Sequence, residues 1–171
     1  MKNIVKTVAV VGAGMALMAP AAAEYSKPMD ISIRAGIYFA KGAAEAAEGR
    51  NWFTAGIEYK LRDLKAGDRP DYSAAYSISL DYYGKGSFSA APLLINYVGR
   101  TPSFYYSAGA GVAFTHFREG TGSDSSLQFG YQLSIGKDFV RGNMPLFAEI
   151  KFFGNGKAAL SSFAIVGGVR F

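Results

Sequence analysis

Ser161-Ser162-Phe163-Ala164-Ile165-Val166-Gly167-Gly168-Val169-Arg170-Phe171 is the stretch whose reading decides the fold. Phe163, Ile165, Gly167, Val169 and Phe171 share one face. Ser162, Ala164, Val166, Gly168 and Arg170 share the other. Side chains that change face with period two make a β-strand. Phe171 is the last side chain of the more apolar row, beside Arg170 on the opposite face.

The same alternation recurs along the chain. Eight segments carry it: Asp30–Ala40, Asn51–Leu61, Ser73–Tyr83, Ser89–Val98, Ser103–Phe117, Ser125–Phe139, Pro145–Phe153 and Leu160–Phe171. Breaker-rich pieces separate them, among them Gly42–Arg50, Ala66–Asp71, Gly99–Pro102 and Gly154–Gly156. In the first segment Ile31, Ile33, Ala35, Ile37 and Phe39 oppose Ser32, Arg34, Gly36 and Tyr38. In the seventh, Leu146, Ala148, Ile150 and Phe152 oppose Phe147, Glu149, Lys151 and Phe153. Only the fourth, around Pro92-Leu93-Leu94-Ile95, resists a clean assignment. The Lys41–Arg50 connection contains alanines and glutamates that could form a helical turn, but it reads as a flexible loop.

A soluble antiparallel sheet also alternates, with its apolar face inward. Here the apolar rows carry rings near strand ends, at Phe39, Tyr59, Tyr82, Tyr97 and Phe114. Membrane barrels place aromatic girdles there. The other rows mix Gly, Ser, Thr and Gln with opposite charges, which suits a narrow interior. The expected fold is therefore all-β, an eight-stranded antiparallel transmembrane β-barrel. Closure follows from the solvent: an unpaired backbone N–H or C=O in hydrocarbon costs several kcal/mol, so no open edge survives. Leu160–Phe171 is accordingly expected to pair with Asp30–Ala40. Eight strands leave an interior roughly filled by side chains, so a plugged polar core is expected, with no wide channel.

The beginning of the sequence fits export. Lys2 and Lys6 precede an uncharged run from Thr7 to Ala23, which ends in Ala21-x-Ala23. A basic start, an apolar stretch and a small-residue cleavage site read as a signal peptide. Residues 1–23 are expected to be removed, leaving 24–171 as the barrel domain. Two of the 18 Lys and Arg lie in 1–23, so 16 remain against 13 Asp and Glu, a net charge of +3 in place of +5. That is too mild and too scattered to point to nucleic acid. There is no cysteine, which excludes a disulfide framework, a catalytic thiol and a thiolate metal site.

The inward rows gather the charged residues Arg34, Glu58, Lys60, Asp81, Glu149, Lys151 and Arg170. Paired carboxylates can do acid–base work, but with this many cations beside them they read as an interior polar network, since a lone buried charge is costly. His116 is the only histidine. With Glu119 beside it and Ser123, Ser125 or Ser126 across the hairpin, it could support serine hydrolysis. Its parity with Phe114 and Val112 places it outward, so it reads as a rim histidine. One histidine does not make a three-ligand zinc site. No cofactor, no metal and no catalytic residue is assigned.

Ala21-x-Ala23, the eight alternating segments and the closing Val169-Arg170-Phe171 resemble the small eight-stranded outer-membrane barrels of Gram-negative bacteria, including the opacity-type surface barrels. That resemblance implies localisation in the outer membrane and partners among its lipids, lipopolysaccharide included. It implies that Phe171 belongs to the signal read by the barrel assembly machinery. It implies a monomer with a structural, envelope-integrity or surface-interaction role and no enzymatic activity, or alternatively a narrow small-solute pore. A second stretch, Ala91-Pro92-Leu93-Leu94, Phe104 to Ala113 and Leu127-Gln128-Phe129-Gly130, is similar to the middle of the outer-membrane lipid A deacylases. Those enzymes carry a His-x-Ser pair on the next strand. Here the matching place reads Lys151-Phe152-Phe153, so neither residue is carried over, and acyl hydrolysis stands as the alternative.

Overall fold

Alternating rows become strands because each then presents one uniform face to hydrocarbon and one to a shared interior. The computed structural model describes residues 30–64, 71–119, 122–139, 145–156 and 158–171. The strands are β1 (Ile31–Phe39), β2 (Asn51–Leu64), β3 (Ser73–Lys85), β4 (Phe88–Arg100), β5 (Tyr105–Glu119), β6 (Gly122–Asp138), β7 (Leu146–Asn155) and β8 (Ser162–Arg170). Each pairs antiparallel with the next, and β1 pairs with β8, so the sheet is a closed barrel. The seam runs from Ser32↔Arg170 to Phe39↔Phe163. One further bond fastens its end, from Phe171 N–H to Ile31 O at 2.8 Å.

The faces are inverted relative to a soluble barrel. Ile33, Ile37, Ile57, Leu80, Ile95, Phe129, Leu133, Ile150 and Ile165 are exposed around the wall. Arg34, Thr54, Ser77, Asp81, Asn96, Gln132, Glu149 and Lys151 are buried inside it. A soluble monomer rarely exposes an apolar patch beyond a few hundred Å². A wall that is apolar all round matches a lipid solvent, and the closed ladder leaves no backbone edge to be desolvated. The barrel is of the transmembrane kind.

Three local features depart from plain strands. β4, unclear by pattern, turns Pro92, Leu94, Asn96 and Val98 inward. Its pairing with β3 runs to Leu80↔Leu93 and resumes at Tyr83↔Ala90. The gap lies at Pro92, which has no N–H to give. β2 shifts register between Lys60 and Arg62, a bulge near its end. The connection expected to be a flexible loop instead forms the helix α1 (Ala43–Glu48). Gly42 and Gly49 flank it with φ of 63° and 79°, a region glycine enters without penalty. Ala44 is buried beneath the helix, and Glu48 accepts the Ser87 N–H at 3.0 Å. Burial of its small face and this tie to the β3–β4 turn hold a helix too short to stand alone.

Gly36 sets the closeness of the seam. A Cβ at this position would lie 2.0 Å from the Ile165 carbonyl oxygen and 2.7 Å from Val166 Cα. No side chain fits there without moving β1 off β8.

Candidate functional site

The interior has two storeys. Its waist is ionic. Arg34 donates from Nε to Asp81 Oδ1 and from Nη2 to Asp81 Oδ2, both at 2.8 Å. Its Nη1 reaches Glu58 Oε2 at 2.6 Å. This is the bidentate fork for which guanidinium geometry is suited. Lys151 Nζ donates to Asp81 Oδ2 at 3.1 Å and lies 3.7 Å from Glu149 Oε1. Ser77 Oγ donates to Glu58 at 2.8 Å, and Tyr105 OH to Glu149 at 2.9 Å. A second chain of bonds lies alongside: Gln132 Nε2 donates to Asn96 Oδ1 at 2.6 Å, and Asn96 Nδ2 to Ser79 Oγ at 3.0 Å. Arg34 is 2% exposed and Lys151 0%, so these charges have essentially no water and depend on one another.

Gly56 makes room for this waist. A Cβ there would meet Asp81 Oδ1 at 2.0 Å, so a methyl group would displace the carboxylate that holds both cations.

Between the waist and the α1 end lies an aromatic plug. Tyr38, Trp52, Tyr83, Phe153, Leu160 and Ala164 form one buried cluster. The rings of Tyr38 and Tyr83 stack with centroids 4.3 Å apart, and Phe153 lies 4.9 Å from Tyr83. The polar tips are mostly engaged: Trp52 Nε1 donates to Gly49 O at 2.8 Å and Tyr83 OH to Leu160 O at 2.9 Å. The sequence points to a polar core throughout. The plug departs from that because Tyr38, Trp52, Tyr83 and Phe153 occupy inward parity positions, all toward one end of the barrel.

Two residues grouped with the network by sequence sit away from the waist. Lys60 is at the opposite rim, 34% exposed, paired with Asp30 at 2.7 Å and Asp63 at 3.2 Å. Arg170 is in the mouth at that end, 3.5 Å from Asp138. Arg100 joins them, donating to Asp138 Oδ2 at 3.0 Å. Neither Arg100 nor Asp138 stood out in the sequence, although Asp138 shares the parity of Gln132 and Ser134. Outside this rim, Tyr72 OH contacts Tyr106 OH at 2.9 Å and Tyr97 OH at 2.5 Å. Those bonds, Tyr106 first, push the Tyr72 phenol above its usual range. Phe171 is half-buried at the strand end.

On the outer wall His116 is exposed, and its Nδ1 lies 2.8 Å from Ser125 Oγ. The two are register partners across β5 and β6. Ser126 instead faces Thr115, at 3.1 Å between hydroxyls. The side chains of Glu119 and Ser123 fall outside the described residues, as does the expected signal peptide. Lys151 is inside the barrel and committed to Asp81.

No protein-family model matches the chain, and no curated protein matches it. Solved structures share its architecture. The Yersinia pestis outer membrane protein Ail, in a phospholipid bilayer nanodisc, is 14% identical, with a TM-score of 0.47 over 82% of this chain and 98% of that one. The N-terminal β-barrel domain of Pseudomonas aeruginosa OprF is 14% identical, with a TM-score of 0.48 over 85% and 98%. The outer membrane enzyme PagL is 13% identical, with a TM-score of 0.48 over 81% and 96%. The likeness is to outer-membrane proteins and a β-barrel domain. It is one of fold and carries no residue role across.

Proposed function

We propose that this chain is an outer-membrane barrel of a Gram-negative cell, processed after Ala23, with a structural, envelope-integrity or surface-interaction role. The observation that carries this reading is the pairing of an all-round apolar wall with an interior filled by an ion-paired waist and an aromatic plug. Such an interior favours a strut over a conduit, and argues against the small-solute pore. In this reading the partners are outer-membrane lipids, lipopolysaccharide among them, and the assembly machinery that reads Phe171. The barrel acts as a monomer, and α1 caps the mouth that faces the cell exterior. Membrane fractionation with heat-modifiable electrophoresis tests this. The chain is expected in the outer membrane as a fast-migrating folded band that slows on boiling. Recovery in the soluble periplasm would overturn it.

The His116–Ser125 contact favours one second reading, acyl-ester hydrolysis on the lipid face. A nucleophile needs a base within hydrogen-bond reach, and 2.8 Å satisfies that. The rung below is Phe114 and Leu127, 58% and 59% exposed. The pair therefore sits just above hydrocarbon. Mass spectrometry of lipid A from cells with and without the gene decides between the readings. Unchanged acylation is expected for a structural barrel, and loss of one acyl chain would establish the hydrolase.

A further inference from the structure

The mouth at the end carrying Asp30 and Phe171 holds two arginines and one carboxylate. Arg100 ends β4, Asp138 ends β6 and Arg170 ends β8, and all three turn inward. Arg100 donates to Asp138 Oδ2 at 3.0 Å. Arg170 Nε stands 3.5 Å from Asp138 Oδ1. Both of those atoms are buried and make no hydrogen bond in the protein. One carboxylate therefore serves two guanidiniums and satisfies only one of them.

The arginines are nevertheless held in place. The Arg170 guanidinium lies 4.5 Å from the Tyr105 ring centroid and 4.3 Å from that of Phe147. Arg100 lies 5.0 Å from the Tyr105 centroid. Ring contacts of this kind hold the two guanidiniums in place. The Arg100 and Arg170 side chains remain 37% and 16% exposed at the mouth, although Arg170 Nε itself is buried. Among the described residues of this rim, Asp30 and Asp63 pair with Lys60. Glu149, deeper in, accepts from Tyr105.

We propose that Arg100 and Arg170 form a site for a phosphate group at this mouth, with Asp138 as an internal competitor for the same donors. Two convergent guanidiniums offer the paired N–H donors that phosphate oxygens take bidentately. The phosphate could be free, or it could be the headgroup of a phospholipid beside the mouth. That this end faces the periplasm rests on the proposed function, whereas the site itself does not.

The test uses the full barrel folded in a zwitterionic detergent without phosphate, its fold checked by heat-modifiable electrophoresis. Calorimetric titration with inorganic phosphate is compared with chloride at matched ionic strength. Saturable binding of phosphate alone is expected. Arg170→Gln is expected to weaken it at least tenfold, and Asp138→Asn to tighten it severalfold by removing the competitor. A structural role for Asp138 would not produce tightening. Competition by short-chain phosphatidylglycerol, and none by a sugar of equal size, would assign the headgroup as the source. Absence of such competition would leave free phosphate as the ligand. Phosphate binding no better than chloride, or binding unchanged in folded Arg170→Gln, would overturn the site whatever membrane the barrel occupies.

Discussion

The waist and the plug fill the same cylinder by opposite physics. The waist is held by direction: Arg34, Lys151, Asp81, Glu58 and Glu149 are placed so that each charge finds a partner. The plug is held by area, with Tyr38, Trp52, Tyr83 and Phe153 stacked against one another. A charged lattice fails when one member is removed, because the remaining member is buried and unpaired. A stacked cluster loses roughly in proportion to the volume removed. The two storeys should therefore differ sharply in tolerance.

Asp81→Ala is expected to be the most damaging change. It strips Arg34 of its bidentate partner and Lys151 of its nearest carboxylate, a cost of about 3–5 kcal/mol for a broken buried pair. Urea unfolding in lipid vesicles measures it, and a loss under ~1 kcal/mol would contradict an ion-paired waist. Glu149→Ala should come next, at about 1–3 kcal/mol, since it leaves the Tyr105 hydroxyl without its acceptor and removes one neighbour of Lys151. An unchanged thermal midpoint in detergent would count against it.

The plug should absorb more. Phe153→Leu is expected to cost less than ~1.5 kcal/mol, as a hydrophobic swap of modest volume change. Trp52 is the only tryptophan and lies in the plug, so its emission reports that storey separately. Tyr38→Phe gives the sharpest contrast. Its hydroxyl is buried with no hydrogen-bond partner in the protein, so removal should leave stability unchanged or raise it by up to ~1 kcal/mol. A clear loss would mean that the plug, too, depends on directed bonds. The smallest effect is expected for Lys60→Ala at the half-exposed rim, within ~0.5 kcal/mol.

Period-two alternation made the strands legible, and closure followed from the cost of an open edge in hydrocarbon. The waist was legible for a related reason: Arg34, Glu58, Asp81, Glu149 and Lys151 sit on inward rows. What parity does not encode is height. Lys60 shares the parity of Glu58, yet it lies where β2 leaves the barrel and pairs with Asp30 and Asp63. The plug is hidden likewise, because Tyr38, Trp52, Tyr83 and Phe153 are scattered over four strands and meet only when register is fixed. α1 was missed because an Ala-Glu run of six residues is a weak helix by itself, and burial of Ala44 decides it. Pro92 obscured β4, since its interruption of the ladder reads locally as a breaker.

The central claim is that waist and plug together close the barrel along its length. Conductance of the purified, folded chain in planar lipid bilayers tests this most directly. The expected result is a membrane that stays electrically silent while insertion is verified by protease protection. Discrete, reproducible current steps from the unaltered chain would show a continuous water path and contradict the account.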